Sequence, residues 1–138
     1  MARIIAIDYG AKRTGLAWTD PMQLIASGLG SFATEEILAK LQSLVQSEEI
    51  EAMVLGYPSK GDGSDTHASP LVREFAQELD KQFPEMPIYL WDERFSSRDA
   101  RKAMLEGGLS KKKRRDKHLV NQVAATLILQ DFMNSNEI

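Results

Sequence analysis

The feature that most constrains this fold is a pair of short, unbroken apolar runs, RIIAID at residues 3–8 and AMVLGYP at residues 52–58. Consecutive β-branched and aliphatic residues form a strand that needs apolar cover on both faces, because successive side chains point to opposite sides. Such strands belong inside a sheet with a helical layer on each side. The intervening segments supply the rest of the sheet and both layers. AKRTG turns the chain after the first run, LAWTD returns as an antiparallel strand, and LIASGLGSF is a third strand weakened by its glycines. Thr34 is placed to cap the next helix, with Glu35 and Glu36 at its positive end, and Ile37, Leu38, Leu41, Leu44 and Val45 form that helix's apolar stripe.

Past the second run, SKGDGSDTHAS (59–69) reads as a loop. Ser69 and Pro70 then open a helix as N-cap and first helical residue, with Val72, Phe75, Ala76, Leu79 and Phe83 on one face. PIYLW is the fifth strand. Ser96 or Ser97 caps a short helix stopped by Gly107-Gly108, a basic loop follows, and a last helix runs from about Asp116 to about Met133. The order β-β-β-α-β-α-β-α-α predicts an α/β fold on a mixed sheet. Trp18 and Trp91 both fall in strands and are expected in the core.

A chain of 138 residues suggests one domain, residues 1–138. It has no cysteine, which excludes a disulfide framework and cysteine-ligated zinc. His67 and His118 lack the spacing and partners of a zinc site. Asp8 interrupts the apolar N-terminal run, no other run could span a bilayer, and the protein is expected to be cytoplasmic, away from membranes.

The net charge of −3 hides an asymmetry. Residues 1–91 hold 7 Lys/Arg against 13 Asp/Glu, whereas residues 92–118 hold 10 against 5. A basic region on an acidic body can still bind phosphate, through counterion release. A solvated basic loop is the alternative. Within that region KKKRRDKH (111–118) contains one carboxylate, Asp116, that a simple phosphate-attracting run would not need.

Three carboxylates stand out. Strand alternation puts Asp8 on the face of Ile4 and Ala6, opposite Ile5 and Ile7, where an ionised group needs a partner or a ligand. Lys12 or Arg13 could be that partner. Helical steps from Asp116 reach Val120, Val123 and Leu127, so it lies at or beside the packed stripe; an acid in a helix's first turn is also favoured by the dipole. Glu93 sits at the carboxyl end of a buried strand, where open α/β sheets bind ligands, or it pairs at the surface with Arg94 or Arg98. Read together, they suggest one oxygen-ligand site for Mg²⁺ or Mn²⁺, ions that act on phosphodiesters alone or in pairs. The cations would then bring phosphates to the place where Asp116 helps to hold the ion.

The segments IDYGAKRTGLAW, VLGYPSKGDGS, VREFAQEL, DERFSS and DKHLVNQVAATLIL, in that order over nearly the whole chain, resemble the YqgF family. These are Holliday-junction-resolvase-like proteins, also described as pre-16S rRNA nucleases. The resemblance implies an RNase H-like fold, with a five-stranded mixed sheet, its first three strands antiparallel, flanked by helices. It implies a metal-dependent nuclease of the bacterial cytoplasm, acting at the 5′ end of pre-16S rRNA during ribosome assembly. Asp8, Glu93 and Asp116 would be the catalytic and metal-binding acids. Many RNase H-like nucleases place an acid at the end of the fourth strand, where this chain has Gly56-Tyr57-Pro58; Asp62 or Asp65 could substitute. Lys12, Arg13, Arg94, Arg98, Lys111, Lys112, Lys113, Arg114, Arg115 and Lys117 are the candidate nucleic-acid contacts. RNA is the expected substrate, with a four-way DNA junction as the alternative, and the protein would act as a monomer or a homodimer. Two other readings are a non-catalytic RNA-binding assembly factor and, because IDYG precedes a basic turn, an actin-like phosphotransferase.

Overall fold

The computed structural model describes residues 2–58, 68–92 and 117–135. Its strands are β1 (Arg3–Asp8), β2 (Arg13–Thr19), β3 (Ala26–Ala33), β4 (Ile50–Tyr57) and β5 (Ile88–Asp92). They form one sheet in the order β3-β2-β1-β4-β5. β1–β2 and β2–β3 pair antiparallel, while β1–β4 and β4–β5 pair parallel, as the expected RNase H-like sheet requires. Among the described residues the α-helices are α1 (Ile37–Ser47), α2 (Ser69–Gln82) and α3 (Lys117–Ser135). The expected loop through residues 59–67, the short helix before Gly107-Gly108 and the basic loop lie outside the described residues.

The apolar runs divide between two cores as strand alternation requires. Ile5 and Ile7 of β1 join Leu16, Met53 and Leu55 beneath Ile37 and Leu41 of α1 and Val72, Phe75 and Leu79 of α2. Ile4 and Ala6 join Ala17 and Val54 beneath Ala125, Ile128, Leu129 and Phe132 of α3. The α3 side is lined by small residues, which lets helix and sheet backbones approach closely. A Cβ built on Gly15 would lie 2.1 Å from the Asn121 carbonyl oxygen, and one on Gly28 would lie 2.7 Å from Cγ of Gln122. Trp18 and Trp91 are only partly buried. Arg3 covers the Trp18 ring at 3.9 Å, and the Trp91 indole N–H donates to Asp131 at 2.7 Å.

Four local expectations are corrected. Thr34 does not cap α1. It opens a 3-10 turn, Thr34–Glu36, and its hydroxyl donates instead to the Gly10 carbonyl at 2.7 Å. Ser69 is inside α2 rather than its N-cap, because its buried hydroxyl donates to the Pro58 carbonyl at 2.6 Å and ties the helix to the end of β4. On α3 the buried line is Val120, Ala124, Ala125, Ile128, Leu129 and Phe132, with Val123 and Leu127 on its shoulder. The close approach at Gly15 turns the alanines, not the larger Val123 and Leu127, toward the sheet. Finally, Leu24 and Ile25 precede β3 and are 73% and 65% exposed. They belong to a turn in which the Asp20 carboxylate accepts backbone N–H bonds from Met22, Leu24 and Ile25 at 3.1, 2.7 and 2.7 Å. Gln23 in that turn has φ +57°.

Candidate active site

Asp8 is the last residue of β1, half-buried, and pairs across the sheet with Gly15 of β2. β1 is the middle of five strands, and β4 and β5 run parallel to it. The carboxyl ends of all three therefore lie at one end of the sheet. Ile7 pairs with Leu55, and Leu55 with Leu90, so the next row holds Asp8, then Gly56, then Trp91. Two strand spacings, roughly 10 Å, separate Asp8 from β5 in that row. Asp92 ends β5 opposite Tyr57. The N-terminal part of α3 reaches the same end, because Asn121 packs directly on Gly15, the rung partner of Asp8.

Of the three candidate acids, only Asp8 falls within the described residues. Glu93 follows Asp92 directly in the chain and Asp116 precedes Lys117, and both lie outside the described residues, as do Asp62 and Asp65. Among the described residues no cluster of three or more His, Asp or Glu could hold a metal ion. The Asp8 carboxylate supplies the hard oxygen donor that Mg²⁺ or Mn²⁺ prefers. Of the candidate phosphate contacts, Lys12 is exposed in the turn after β1, whereas Arg13 lies along the sheet and donates from Nη2 to the Ser31 carbonyl at 2.7 Å. Arg94, Arg98, Lys111, Lys112, Lys113, Arg114 and Arg115 lie outside the described residues, as does the side chain of Lys117.

Next to Asp8, Tyr9 points to the opposite face and stacks on Phe75 of α2, with ring centroids 4.1 Å apart and planes 16° apart. Burial, and secondarily the nearby Glu74 carboxylate, push the Tyr9 phenol above its ordinary range. Tyr9 also lines a cleft of about 470 Å³ with Leu38, Leu71, Glu35, Glu74 and Glu78. Those carboxylates make the α1–α2 face unfavourable for a polyanion, so phosphate would approach from elsewhere.

Sequence reasoning missed the apposition of Gly15 and α3. A glycine inside a strand was the available signal, since it often marks a close backbone approach. Sequence reasoning also missed the hydroxyls of Thr14 and Thr34 at the β1–β2 turn, and no local pattern announces a bond between residues so far apart in the chain.

A family model described as "RuvX: Holliday junction resolvase" matches residues 2–135. The chain belongs to this family. Relatives of similar length carry the name "Putative pre-16S rRNA nuclease". One from Christiangramia forsetii is 46% identical over 133 residues, covering 96% of this chain and 98% of the relative. One from Porphyromonas gingivalis is 45% identical over 135 residues, covering 98% of each. The chain also shares its fold with a solved structure titled "T. thermophilus RuvC in complex with Holliday junction substrate". There the TM-score is 0.55 at 18% identity, with 97% of this chain and 96% of that one covered. A second solved structure, of Thermus thermophilus RuvC, gives a TM-score of 0.54 at 17% identity, covering 96% and 95%. No helix among the described residues is long and apolar enough to cross a membrane.

Proposed function

We propose that this chain is a divalent-metal-dependent nuclease that processes the 5′ end of pre-16S rRNA, with Asp8, Glu93 and Asp116 as its catalytic acids. The observation that carries this reading is the place of Asp8: a half-buried carboxylate at the carboxyl end of the central strand, where β4 and β5 also end and α3 begins. Open α/β sheets bind ligands at that end. The names of the relatives support phosphodiester cleavage and the ribosomal substrate. The family description and the shared RuvC fold favour a second substrate, the four-way DNA junction.

In this reading Asp8 offers its carboxylate to Mg²⁺ or Mn²⁺, together with Glu93 and Asp116. When bound, such an ion stabilises negative charge developing on the phosphate oxygens during hydrolysis. The chain's own work is to hold three acids at fixed separations and to draw the backbone in. Lys12 and the cations of 111–117 attract phosphate, while the acidic α1–α2 face discourages the wrong approach.

The test is cleavage of precursor 16S RNA, duplex DNA and a four-way DNA junction with Mg²⁺ or Mn²⁺, by the native chain and by Asp8→Asn. The variant should bind nucleic acid and lose cleavage by about 10²-fold or more. Asp8→Asn that cuts at the native rate would reject the site. Binding without metal-dependent cleavage in the native chain would leave the assembly-factor reading in its place.

A further inference from the structure

The turn that follows Asp8 is closed by a ring of hydrogen bonds that begins and ends on one residue. Thr34 Oγ1 donates to the Gly10 carbonyl at 2.7 Å. That uses its only proton, so in the 2.8 Å bond between the two hydroxyls Thr14 is the donor and Thr34 the acceptor. The Gly10 N–H in turn donates to Thr14 Oγ1, at 3.5 Å the longest member. Each hydroxyl gives once and accepts once, and both backbone polar groups of Gly10 are engaged. The backbone N–H of Thr34 adds a fourth bond, to the Lys12 carbonyl at 3.0 Å. Thr34 thus grips the turn at two points, Gly10 and Lys12.

The ring's surroundings leave it little freedom. Thr14 is fully buried. A Cβ on Gly10 would collide with the Arg13 carbonyl oxygen, so the turn packs against its own exit. Thr34 opens the 3-10 turn leading into α1, whose Ile37 and Leu41 are buried against the sheet. Tyr9, between Asp8 and Gly10, is stacked on Phe75. The backbone from Asp8 to Lys12 is therefore held from α2 by a ring contact, from the 3-10 turn before α1 by Thr34 and from β2 by the Thr14 hydroxyl.

We infer that Thr34 and Thr14 are positioning residues for the nuclease site: through Gly10 and Lys12 their hydroxyl ring sets where the Asp8 carboxylate and the Lys12 side chain stand. The inference rests on the reading of Asp8 as a catalytic acid. It assigns Thr34, which a local reading takes for a helix cap, a role in holding the metal-ligating end of β1. Both hydroxyls are taken up within the ring. Their contribution is geometric, and a displacement of about 1 Å at a catalytic group costs on the order of 10²-fold in rate.

The test compares Thr34→Val, which keeps the shape and removes the hydroxyl, with Thr34→Ser, which keeps the hydroxyl. Three quantities are measured on the full chain: hydrogen exchange of the Gly10 and Thr34 amides, Mn²⁺ affinity by calorimetry, and kcat and KM for cleavage. Thr34→Val should speed exchange at Gly10, weaken Mn²⁺ binding and lower kcat by roughly tenfold to a hundredfold with little change in KM. Thr34→Ser should restore all three. The inference is overturned if Thr34→Val opens the ring yet leaves Mn²⁺ affinity and kcat native. It is equally overturned if Thr34→Ser is as impaired as Thr34→Val, which would assign the effect to packing. Asp8→Asn is measured alongside. An Asp8→Asn protein that still cuts rejects the site itself, a result distinct from a native-like Thr34→Val beside an inactive Asp8→Asn.

Discussion

Gly15→Ala should separate the packing of α3 from the chemistry it serves. Gly15 is the rung partner of Asp8, and its backbone does not need positive φ, so alanine is allowed there by conformation. Space is the obstacle. The new Cβ would lie 2.1 Å from the Asn121 carbonyl oxygen and 2.9 Å from the Gln122 nitrogen, both helix backbone. Bringing the nearer contact out to an ordinary 3.4 Å requires α3 to retreat by about 1.3 Å. Backbone in a helix cannot rotate away as a side chain can, and the retreat loosens Ala125, Ile128 and Leu129 against the sheet. Overpacking of this kind costs about 1–3 kcal/mol, set against about 0.4–1 kcal/mol gained when a glycine is removed from the unfolded chain. The expected net loss is about 1–2 kcal/mol in urea unfolding, with cleavage reduced more than stability alone explains. Gly28→Ala is the control. The three atoms nearest its Cβ all belong to the side chain of Gln122, which can change rotamer, so the change should stay within about 0.5 kcal/mol of native. If Gly15→Ala is as stable as Gly28→Ala, the tight seating of α3 on β2 is wrong.

Thr19→Val should cost about 1–3 kcal/mol, because buried Thr19 Oγ1 accepts the Ile4 N–H at 3.0 Å and valine leaves that donor unpaired; native-like denaturant unfolding would contradict this. The Asp20 carboxyl is held below its ordinary value of 3.8, first by the Ile25 N–H, with burial opposing and Leu24 and Met22 assisting. A lowered folded-state value means that its stabilisation is complete above 3.8 and disappears as pH falls through the folded value. An NMR titration of Asp20 should therefore show a midpoint below 3.8 in the folded chain, and a midpoint at or above it would refute the clamp.

Much of the architecture was legible because it depends on local alternation. Ile4, Ala6 and Asp8 on one side of β1, with Ile5 and Ile7 on the other, follow from the two-residue period, and the cores on either face obey it. The place of Asp8 at the end of β1 was legible as well, from the turn residues that follow it. The phase of α3 was not. It is set by where two glycines let the helix descend, so Ala124 and Ala125 face the sheet where larger neighbours had seemed better candidates. Thr34 misled in another way. A threonine before two glutamates satisfies every local rule for a cap, but its hydroxyl donates to the Gly10 carbonyl, 24 residues earlier, and its oxygen is engaged by Thr14 rather than by a helix N–H. Leu24 and Ile25 read as strand because they are apolar; the Asp20 carboxylate instead holds their amides in a turn.

The late position of α3 in the chain has a consequence for how the protein is made. A domain generally folds as a unit, and during synthesis its C-terminal elements are the last to emerge. In a nascent chain that has not reached residue 117, any sheet that forms has α1 and α2 to cover one side only. The surface of Ile4, Ala6, Ala17 and Val54 then faces water, waiting for Ala125, Ile128 and Leu129. Such a chain would adhere to chaperones or to other nascent chains, and fragments ending before α3 should precipitate rather than persist. It would also lack Asn121 on the Asp8–Gly15 rung and the helix that follows Asp116, the acid of the proposed site. Cutting ability would then arrive only with the final helix. A nuclease proposed to act on ribosomal RNA precursors would stay harmless while still tethered to the ribosome that is building it.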